Sequence, residues 1–214
     1  MTSTKQKIID AAVFLFNTQG FDGTSVRDIA RKADVNAANI SYYFSGKQGL
    51  REFLVTNFLE SYIRVLEVGF ERLSTLPPKE TLFAIVDNIL LYQSDNRHLS
   101  RFFYREISLD SILIREIMTT YFIREKYYFS TIIQSGIEQR QFRKLPFPIF
   151  MAQLKGMISV PYLYPQYVSE VLHTFPSERY FVETYRKEVK EWLNKTIEVG
   201  EAVRVKAGGP LLNI

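Results

Sequence analysis

The sequence predicts an all-α protein with a small N-terminal helical domain and a larger helical C-terminal domain. Apolar residues recur at helical spacing in most segments, as Ile9, Ala12, Val13 and Phe16 do in the first one. Prolines separate the later segments, and few stretches alternate as strands do. A length of 214 residues accommodates both domains. We therefore expect domains at 1–47 and 48–200, followed by a flexible tail at 201–214.

Residues 23–47 read as two short helices joined by a tight turn, which is the layout of a helix-turn-helix. Ser25 and Asp28 have the spacing of a capping-box variant, so the first helix should begin near Val26. Asp34 lies where the turn needs a positive φ. Asn36 should then cap a second helix over 37–43.

The outward positions of that second helix are small, polar or aromatic, whereas a solvated helix face normally carries Lys and Glu. Asparagine can bond an adenine edge, and alanine or tyrosine can contact thymine methyl groups. Lys47 lies beside free backbone N–H groups at the next helix N-terminus, so it is the strongest phosphate-contact candidate. We therefore expect contacts to double-stranded DNA from Thr24, Ser25, Arg27, Asn36, Ala37, Ala38, Asn39, Ser41, Tyr42, Tyr43 and Lys47.

The segment VRDIARKADVNAANISYYFSGKQGL resembles the DNA-binding domain of the TetR family of bacterial regulators, and the match covers roughly residues 5–52. Its landmarks here are Leu15-Phe16, Gly20-Phe21, Thr24-Ser25, Tyr42-Tyr43-Phe44 and Lys47. Two positions depart from the family pattern. Ser41 replaces a frequent tyrosine, and Tyr43 replaces a common histidine.

The resemblance implies a TetR-like homodimer bound to a palindromic DNA site in the cytoplasm, in association with the nucleoid. In that family the last two long helices commonly form a four-helix bundle with a second subunit. By composition alone, the apolar stripe on the helix at 177–199 suits a core as well as an interface. The resemblance favours the interface, and it places Met151, Met157, Tyr185 and Trp192 there.

The sequence offers little for an enzyme or a metal site. There is no cysteine, and the only histidines, His98 and His173, are isolated from other plausible ligands. A phosphate-binding glycine loop and a nucleophile elbow are both missing. We therefore expect no catalytic residue, metal or cofactor. Asp10 interrupts the first apolar run and no stretch is long enough to span a bilayer, so we expect neither secretion nor a membrane location.

The larger domain contains two features whose purpose the residues leave open. Many of the 13 tyrosines and 17 phenylalanines lie there, and they could fill a core or line a pocket for a small apolar ligand. Arginines recur along one helix face and, with a neighbouring Arg-Glu pair, could dock a partner: Arg97, Arg101, Arg105, Arg115 and Glu116. Alternatively, Glu106, Asp110 or Glu116 neutralises the arginines.

Two later segments, YREISLDSILIREIM and MAQLKGMISVPYLYPQYVSEVL, extend the resemblance over most of the chain. They resemble a TetR-like regulator of sporulating bacilli that binds motifs near the replication origin and modulates the division protein FtsZ. The resemblance implies FtsZ as a partner and the arginines as the surface that faces it. The alternative is a transcriptional repressor whose DNA affinity a small apolar ligand controls.

Overall fold

The computed structural model describes residues 3–108 and 112–199. Within these ranges the chain forms nine α-helices and no strand, so the predicted all-α fold class is confirmed. The helices are α1 (Thr4–Gln19), α2 (Val26–Ala33), α3 (Ala38–Phe44), α4 (Lys47–Glu71), α5 (Pro78–Asp95), α6 (Arg97–Ile107), α7 (Ile112–Glu138), α8 (Phe147–Leu163) and α9 (Arg179–Ile197). The expected tail at 201–214 and the carboxylate of Asp110 lie outside the described residues.

Helices α1 to α3 pack around a small apolar core, and the first turns of α4 close it. Ile8, Phe16, Ile29 and Ile40 are fully buried or nearly so in this core. The capping box at the start of α2 forms as predicted, because the Asp28 N–H donates to Ser25 Oγ at 3.1 Å and the Ser25 N–H donates to Asp28 Oδ2 at 3.0 Å. The Ser25 hydroxyl also donates to Asp28 Oδ2 at 2.5 Å, and this bond, followed by the one from the Ser25 N–H, lowers the pKa of the Asp28 carboxyl.

Helix α4 connects this N-terminal unit to the larger one. It is 25 residues long and packs first against α3 and then against α5 and α7. A short 3₁₀ turn, Arg72–Ser74, ends it before Pro77 and Pro78 start the next helix. The remaining helices pack against α4 and against one another.

The final helix begins later than the sequence suggested. We expected a helix at 177–199, but α9 starts at Arg179, with Glu178 at the capping position and no side-chain hydrogen bond there. The residues between α8 and α9 contain a short π-helical stretch, Tyr167–Val171. Residues 176–177 form a turn in which the Glu178 N–H donates to the Phe175 carbonyl at 2.9 Å, and α9 begins after this turn.

Aromatic rings fill much of the interior of the larger domain. The rings of Phe58 and Phe103 stack with centroids 4.1 Å apart, and Tyr104 stacks on Tyr162 at 6.3 Å. All four side chains are buried. These contacts favour the core-filling interpretation of the aromatic residues over a preformed apolar pocket.

One charged group lies inside this aromatic interior. The carboxylate of Glu125, which is buried, accepts hydrogen bonds from the Tyr62 hydroxyl and from Lys155 Nζ, the latter at 2.9 Å. Lys155 Nζ also stands 4.6 Å from the centre of the Phe122 ring. Burial and the neighbouring Glu125 carboxylate raise the pKa of the Tyr62 hydroxyl, which therefore remains a hydrogen-bond donor.

Replacing Lys155 with methionine should destabilise the protein by about 2–3 kcal/mol, because the substitution leaves the buried Glu125 carboxylate without its cation. The measurement is chemical denaturation followed by circular dichroism. Lys126→Met is the matched control, since Lys126 is the exposed neighbour of Glu125 on α7, and its effect should stay within about 0.5 kcal/mol. Equal stability of the two variants would contradict a stabilising role for the ion pair.

Candidate DNA-binding site

Helices α2 and α3, with the turn between them, form a helix-turn-helix. Asp34 ends α2 with the predicted positive φ of 54°, and its N–H donates to the carbonyl groups of Ala30 and Arg31. Val35 and Ile40 pack inward. The opposite face of α3 therefore projects away from the core, which is the geometry by which such a motif enters a major groove.

The exposed face of α3 carries Ala38, Ser41, Tyr42 and Tyr43. Tyr42 is 81% exposed, and its ring meets that of Tyr43 edge to face at 5.0 Å. Exposed aromatic rings with hydroxyl groups can contact thymine methyl groups and phosphate oxygens. This face has the chemistry that the sequence predicted for a DNA-reading surface.

The residues at the start of α3 lie closer to the core than the sequence suggested. The helix begins at Ala38, one residue later than expected, and Asn36 Oδ1 accepts a hydrogen bond from the Ala38 N–H at 2.8 Å, as a residue that caps this helix should. Ala37 is half-buried and packs against the core, and Asn39 is also half-buried. Asn36 and Ala37 therefore shape the turn, while Asn39 lies at the edge of the exposed face.

The three DNA contacts predicted at the start of α2 differ in their exposure and hydrogen bonding. Thr24 is buried, and its hydroxyl donates to the Gly20 carbonyl at 2.8 Å, so this side chain stabilises the turn and does not face DNA. Ser25 is exposed but is committed to the capping box with Asp28. Arg27 is exposed on α2, where its guanidinium can reach a phosphate.

Lys47 has a structural role that its sequence position did not reveal. Its Nζ donates to the carbonyl groups of Phe21 and Thr24, both at 2.9 Å, and stands 4.2 Å from the centre of the Phe21 ring. An ammonium has three donors, so one remains for a phosphate. Lys47 thus ties the start of α4 to the residues that precede α2.

A junction between α1 and α6 attaches the helix-turn-helix unit to the larger domain. Asn17 Nδ2 donates to the His98 carbonyl at 2.8 Å, and Arg105 Nη1 donates to the Asn17 carbonyl at 3.1 Å. Arg105 thereby places a cation at the C-terminus of α1, where it interacts favourably with the helix dipole. Sequence reasoning missed this junction because more than 80 residues separate the partners.

The three arginines predicted to share one face of α6 therefore have different environments. Arg105 is bound to α1, Arg101 is half-buried, and Arg97 is exposed with its Nε donating to His98 Nε2 at 3.3 Å. Glu106, one of the expected counterions, instead lies 3.7 Å from Arg51 of α4. On α7, Arg115 and Glu116 are both exposed.

The four residues predicted for a dimer interface are half-buried where α8 and α9 meet. The Tyr185 hydroxyl donates to the Met157 carbonyl at 2.7 Å, and the Trp192 ring stacks on Phe150 at 5.9 Å. Met151 and Met157 pack against the core. These four residues hold α8 against α9 within one chain and leave part of their surface uncovered.

No group of three or more His, Cys, Asp or Glu residues suited to a metal ion occurs in residues 3–108 and 112–199. In the same part of the chain, no helix combines the length and apolar character that crossing a membrane requires.

We expect Lys47→Met to weaken binding to every DNA sequence and to reduce the slope of log K against log salt concentration by about 0.9, since one phosphate contact is lost. Fluorescence anisotropy over a salt series measures both effects. Lys144→Met controls for loss of a remote exposed lysine, and Asn39→Ala should relax base preference without changing the slope. An unchanged slope for Lys47→Met would restrict Lys47 to its structural role.

Comparison with known proteins supports this assignment. Residues 8–53 match the family described as "Bacterial regulatory proteins, tetR family". Over 199 residues the chain is 52% identical to the probable HTH-type transcriptional regulator YttP of Bacillus subtilis, covering 93% of this chain and 96% of that protein. A biofilm operon regulator of Staphylococcus aureus, IcaR, is 42% identical over 48 residues, which cover 22% of this chain and 26% of that protein.

Solved structures share the fold at low sequence identity. The TetR family regulator PfmR of Thermus thermophilus superposes with a TM-score of 0.74 at 19% identity, over 90% of this chain and 99% of that one. A putative fatty acid metabolism regulator of Clostridium perfringens gives 0.73 at 21% identity, with the same coverage. Members of this family are DNA-binding regulators that form homodimers, and they are not enzymes. The 52% identity to YttP over nearly the whole chain, together with the family match at residues 8–53, shows that the chain belongs to the TetR family of helix-turn-helix transcriptional regulators.

Proposed function

We propose that this regulator acts as a homodimer on palindromic chromosomal sites and, while bound there, restrains or repositions assembly of the FtsZ division ring. The observation that carries the proposal is the extent of the similarity to the Bacillus protein. It spans the larger domain as well as the DNA-binding one, whereas the similarity to IcaR is limited to 48 residues. The partner FtsZ comes from the resemblance of the α6–α7 and α8 segments described above. Such a protein works in the cytoplasm, on the nucleoid.

DNA recognition rests on α3 and its neighbours. Exposed Ser41, Tyr42 and Tyr43 would face the groove, with Ala38 and the edge of Asn39 beside them. Arg27 and the third donor of Lys47 would contact phosphates and fix the register. A two-fold dimer places two such helices on successive major grooves, so the site should be a palindrome.

The proposed dimer interface comprises the four residues where α8 meets α9 and an exposed apolar face of α8. Ile149, Val160 and Tyr164 are exposed along one face of α8, each at more than a third of its maximal area. Gly156 lies on the same face, and nothing would stand within 4 Å of a Cβ there. Large apolar residues around a small one form a face that a second copy of the chain could cover.

Val160→Asp should dissociate the dimer, because the interface is two-fold symmetric and each buried carboxylate occurs twice. We expect at least about a 100-fold rise in the dimer dissociation constant. Sedimentation velocity at micromolar concentration measures it, with circular dichroism as the check on folding. Val68→Asp, which places the same charge at an exposed valine of α4, should remain dimeric. A dimeric Val160→Asp variant would rule out this face of α8.

The proposed FtsZ surface comprises Arg97, Arg101, Arg105, Arg115 and Glu116. Arg115 and Glu116 project from α7 and are exposed, as is Arg97 at the start of α6. Arg105 adds its positive charge to this surface, while its guanidinium donates a hydrogen bond to the Asn17 carbonyl of α1. A cationic surface outside the helix-turn-helix would allow the protein to hold DNA and an acidic protein partner together.

Charge reversal separates the two activities. Arg115→Glu should abolish the effect on FtsZ ring assembly in cells while leaving DNA affinity within about twofold of the parent, because Arg115 lies on α7 of the larger domain and not in the helix-turn-helix. Arg64→Glu on α4 provides the same charge change at another exposed arginine. Ring counts by fluorescence microscopy and DNA anisotropy give the two readouts.

Two outcomes would contradict the division role. One is normal modulation of ring assembly by Arg115→Glu at equal protein level. The other is release of DNA by small apolar ligands together with binding beside a single operon, which would identify a ligand-controlled repressor. Genome-wide crosslinking decides between sites clustered at chromosomal landmarks and one operator.

A further inference from the structure

A groove runs along the surface between α5 and α9. It consists of two adjoining clefts of about 590 and 470 Å³, and Phe83, Lys187 and Lys190 line both of them. Phe83 and Ala84 of α5 give the lining its apolar part, and both are half-buried. None of the residues assigned above to DNA contact, to the dimer interface or to the FtsZ surface lines this groove.

The groove and the proposed dimer interface lie on different flanks of α9. Arg186 faces α5, because its Nε donates to Asp87 Oδ1 at 2.7 Å. On the other flank, the Tyr185 hydroxyl donates to a carbonyl group of α8, and the Trp192 ring stacks on a phenylalanine of α8. A second copy of the chain that covers α8 should therefore leave the groove open.

Four lysines converge on this groove from both helices. They are Lys79 of α5 and Lys187, Lys190 and Lys195 of α9, and we call them the groove lysines. The Nζ atoms of Lys79 and Lys190 stand 5.7 and 5.5 Å from the centre of the same Phe83 ring. None of the groove lysines forms a salt bridge within residues 3–108 and 112–199. Ammonium groups gathered without a counterion repel one another, so the groove favours an anionic occupant.

The groove is not uniformly positive, which argues against nucleic acid as the occupant. Glu80 and Glu191 lie among its lining residues, and Glu183 accepts a hydrogen bond from Arg179 Nε at 2.6 Å. Duplex DNA carries one negative charge for about every 1.7 Å of its axis, so its phosphates would meet these carboxylates. An extended polypeptide advances about 3.3 Å per residue and can place a neutral residue beside each of them. Spaced carboxylates therefore fit the groove better than a continuous phosphate backbone.

The shape of the groove argues against a membrane surface. Helices α5 and α9 pack directly against each other, and Phe83 is half-buried beneath the groove lysines. The axes of packed helices stand about 8–10 Å apart, so the groove above such a pair admits one polypeptide chain but not the flat face of a bilayer. The aliphatic stems of the lysines and the Phe83 ring offer apolar contact to one large side chain. A polypeptide segment thus matches both the shape and the charge.

We propose that the α5–α9 groove docks an extended acidic segment of a partner protein. The carboxylates of this segment pair with the groove lysines, and one large apolar side chain contacts Phe83. Each exposed ion pair contributes little by itself, so the affinity depends on several pairs formed together and decreases with salt. The proposal does not rest on the division role, because the arginines of the FtsZ surface lie outside the groove.

A suitable probe is the fluorescein-labelled peptide Gly-Glu-Asp-Phe-Glu-Asp-Leu-Glu-Gly, whose binding to the full-length protein is measured by fluorescence anisotropy. It should bind with a dissociation constant below about 100 μM at low salt. A neutral peptide with Gln and Asn in place of Glu and Asp should bind at least about tenfold more weakly. An acidic peptide with Ser in place of Phe and Leu should bind at least about fivefold more weakly, because it lacks the apolar contact.

Lys190→Glu should weaken binding of the acidic peptide by at least about tenfold, because it replaces an attraction with a repulsion. Lys126→Glu makes the same charge change at an exposed lysine of α7 outside the groove and should bind within about twofold of the parent. Circular dichroism checks that both variants fold. In an NMR spectrum of alanine methyl groups, the peptide should shift the Ala84 signal and leave that of Ala152, which is exposed on α8, unchanged.

Three results would overturn the proposal: failure of the acidic peptide to bind, equal binding of the neutral peptide, and binding that Lys190→Glu leaves intact. If Lys190→Glu instead weakened binding to random-sequence duplex DNA or to phosphatidylglycerol vesicles and not to the peptide, the groove lysines would belong to a nucleic-acid or membrane surface. An unshifted Ala84 signal at saturating peptide would place the binding site elsewhere. None of these measurements involves FtsZ, so they succeed or fail independently of the division role.

Discussion

The docking of α1 onto α6 is the interaction on which the rest of the molecule depends. A helix-turn-helix dimer reads its site only if its two recognition helices are held one DNA turn apart, about 34–36 Å. In this chain α4 and the α1–α6 junction connect the helix-turn-helix unit to the larger domain. Asn17 is bound from both sides there, since its side chain donates to His98 and its carbonyl accepts from Arg105. Phe16 stacks on Phe102 beside them, with centroids 5.6 Å apart.

A largely buried charge pair joins α4 to α6 beside this junction. Arg51 of α4 stands over the Phe21 ring and 3.7 Å from Glu106, which is buried on α6. Burial raises the pKa of Glu106, while Arg51 and then Arg105 oppose that shift. A paired carboxylate in such a place tolerates little movement, because separation would leave it desolvated and alone. The helix-turn-helix unit is thus held in one orientation by polar contacts that have few alternatives.

Local patterns in the sequence predicted the parts of this structure that local forces determine. The capping box of Ser25 and Asp28 and the positive φ of Asp34 both depend on neighbours within a few residues. The fold class follows from the same periodicity. Resemblance to a known family then supplied the docking mode of the helices, which periodicity alone does not contain.

Contacts between residues distant in sequence could not be predicted in this way. The hydroxyl of Thr24 is suited to a phosphate contact, yet in the fold it is buried and donates to the Gly20 carbonyl. The position of Lys47 at a helix N-terminus predicts a phosphate contact, whereas its bonds to the carbonyl groups of Phe21 and Thr24 depend on how α4 packs against the preceding residues. Glu125 and Lys155 are 30 residues apart, and only the packing of α7 against α8 brings them together. In each case the residue type was informative, but the partner that defines its role was not visible locally.

The weak charge of the recognition surface explains why the junction matters so much. The net charge of the whole chain is only +4, and the exposed part of α3 carries no lysine or arginine. Non-specific attraction to phosphates is therefore small, so affinity must come from two copies of a small surface docked in register. A displacement of α6 by a fraction of a helical turn would change that register through Asn17 and Arg105.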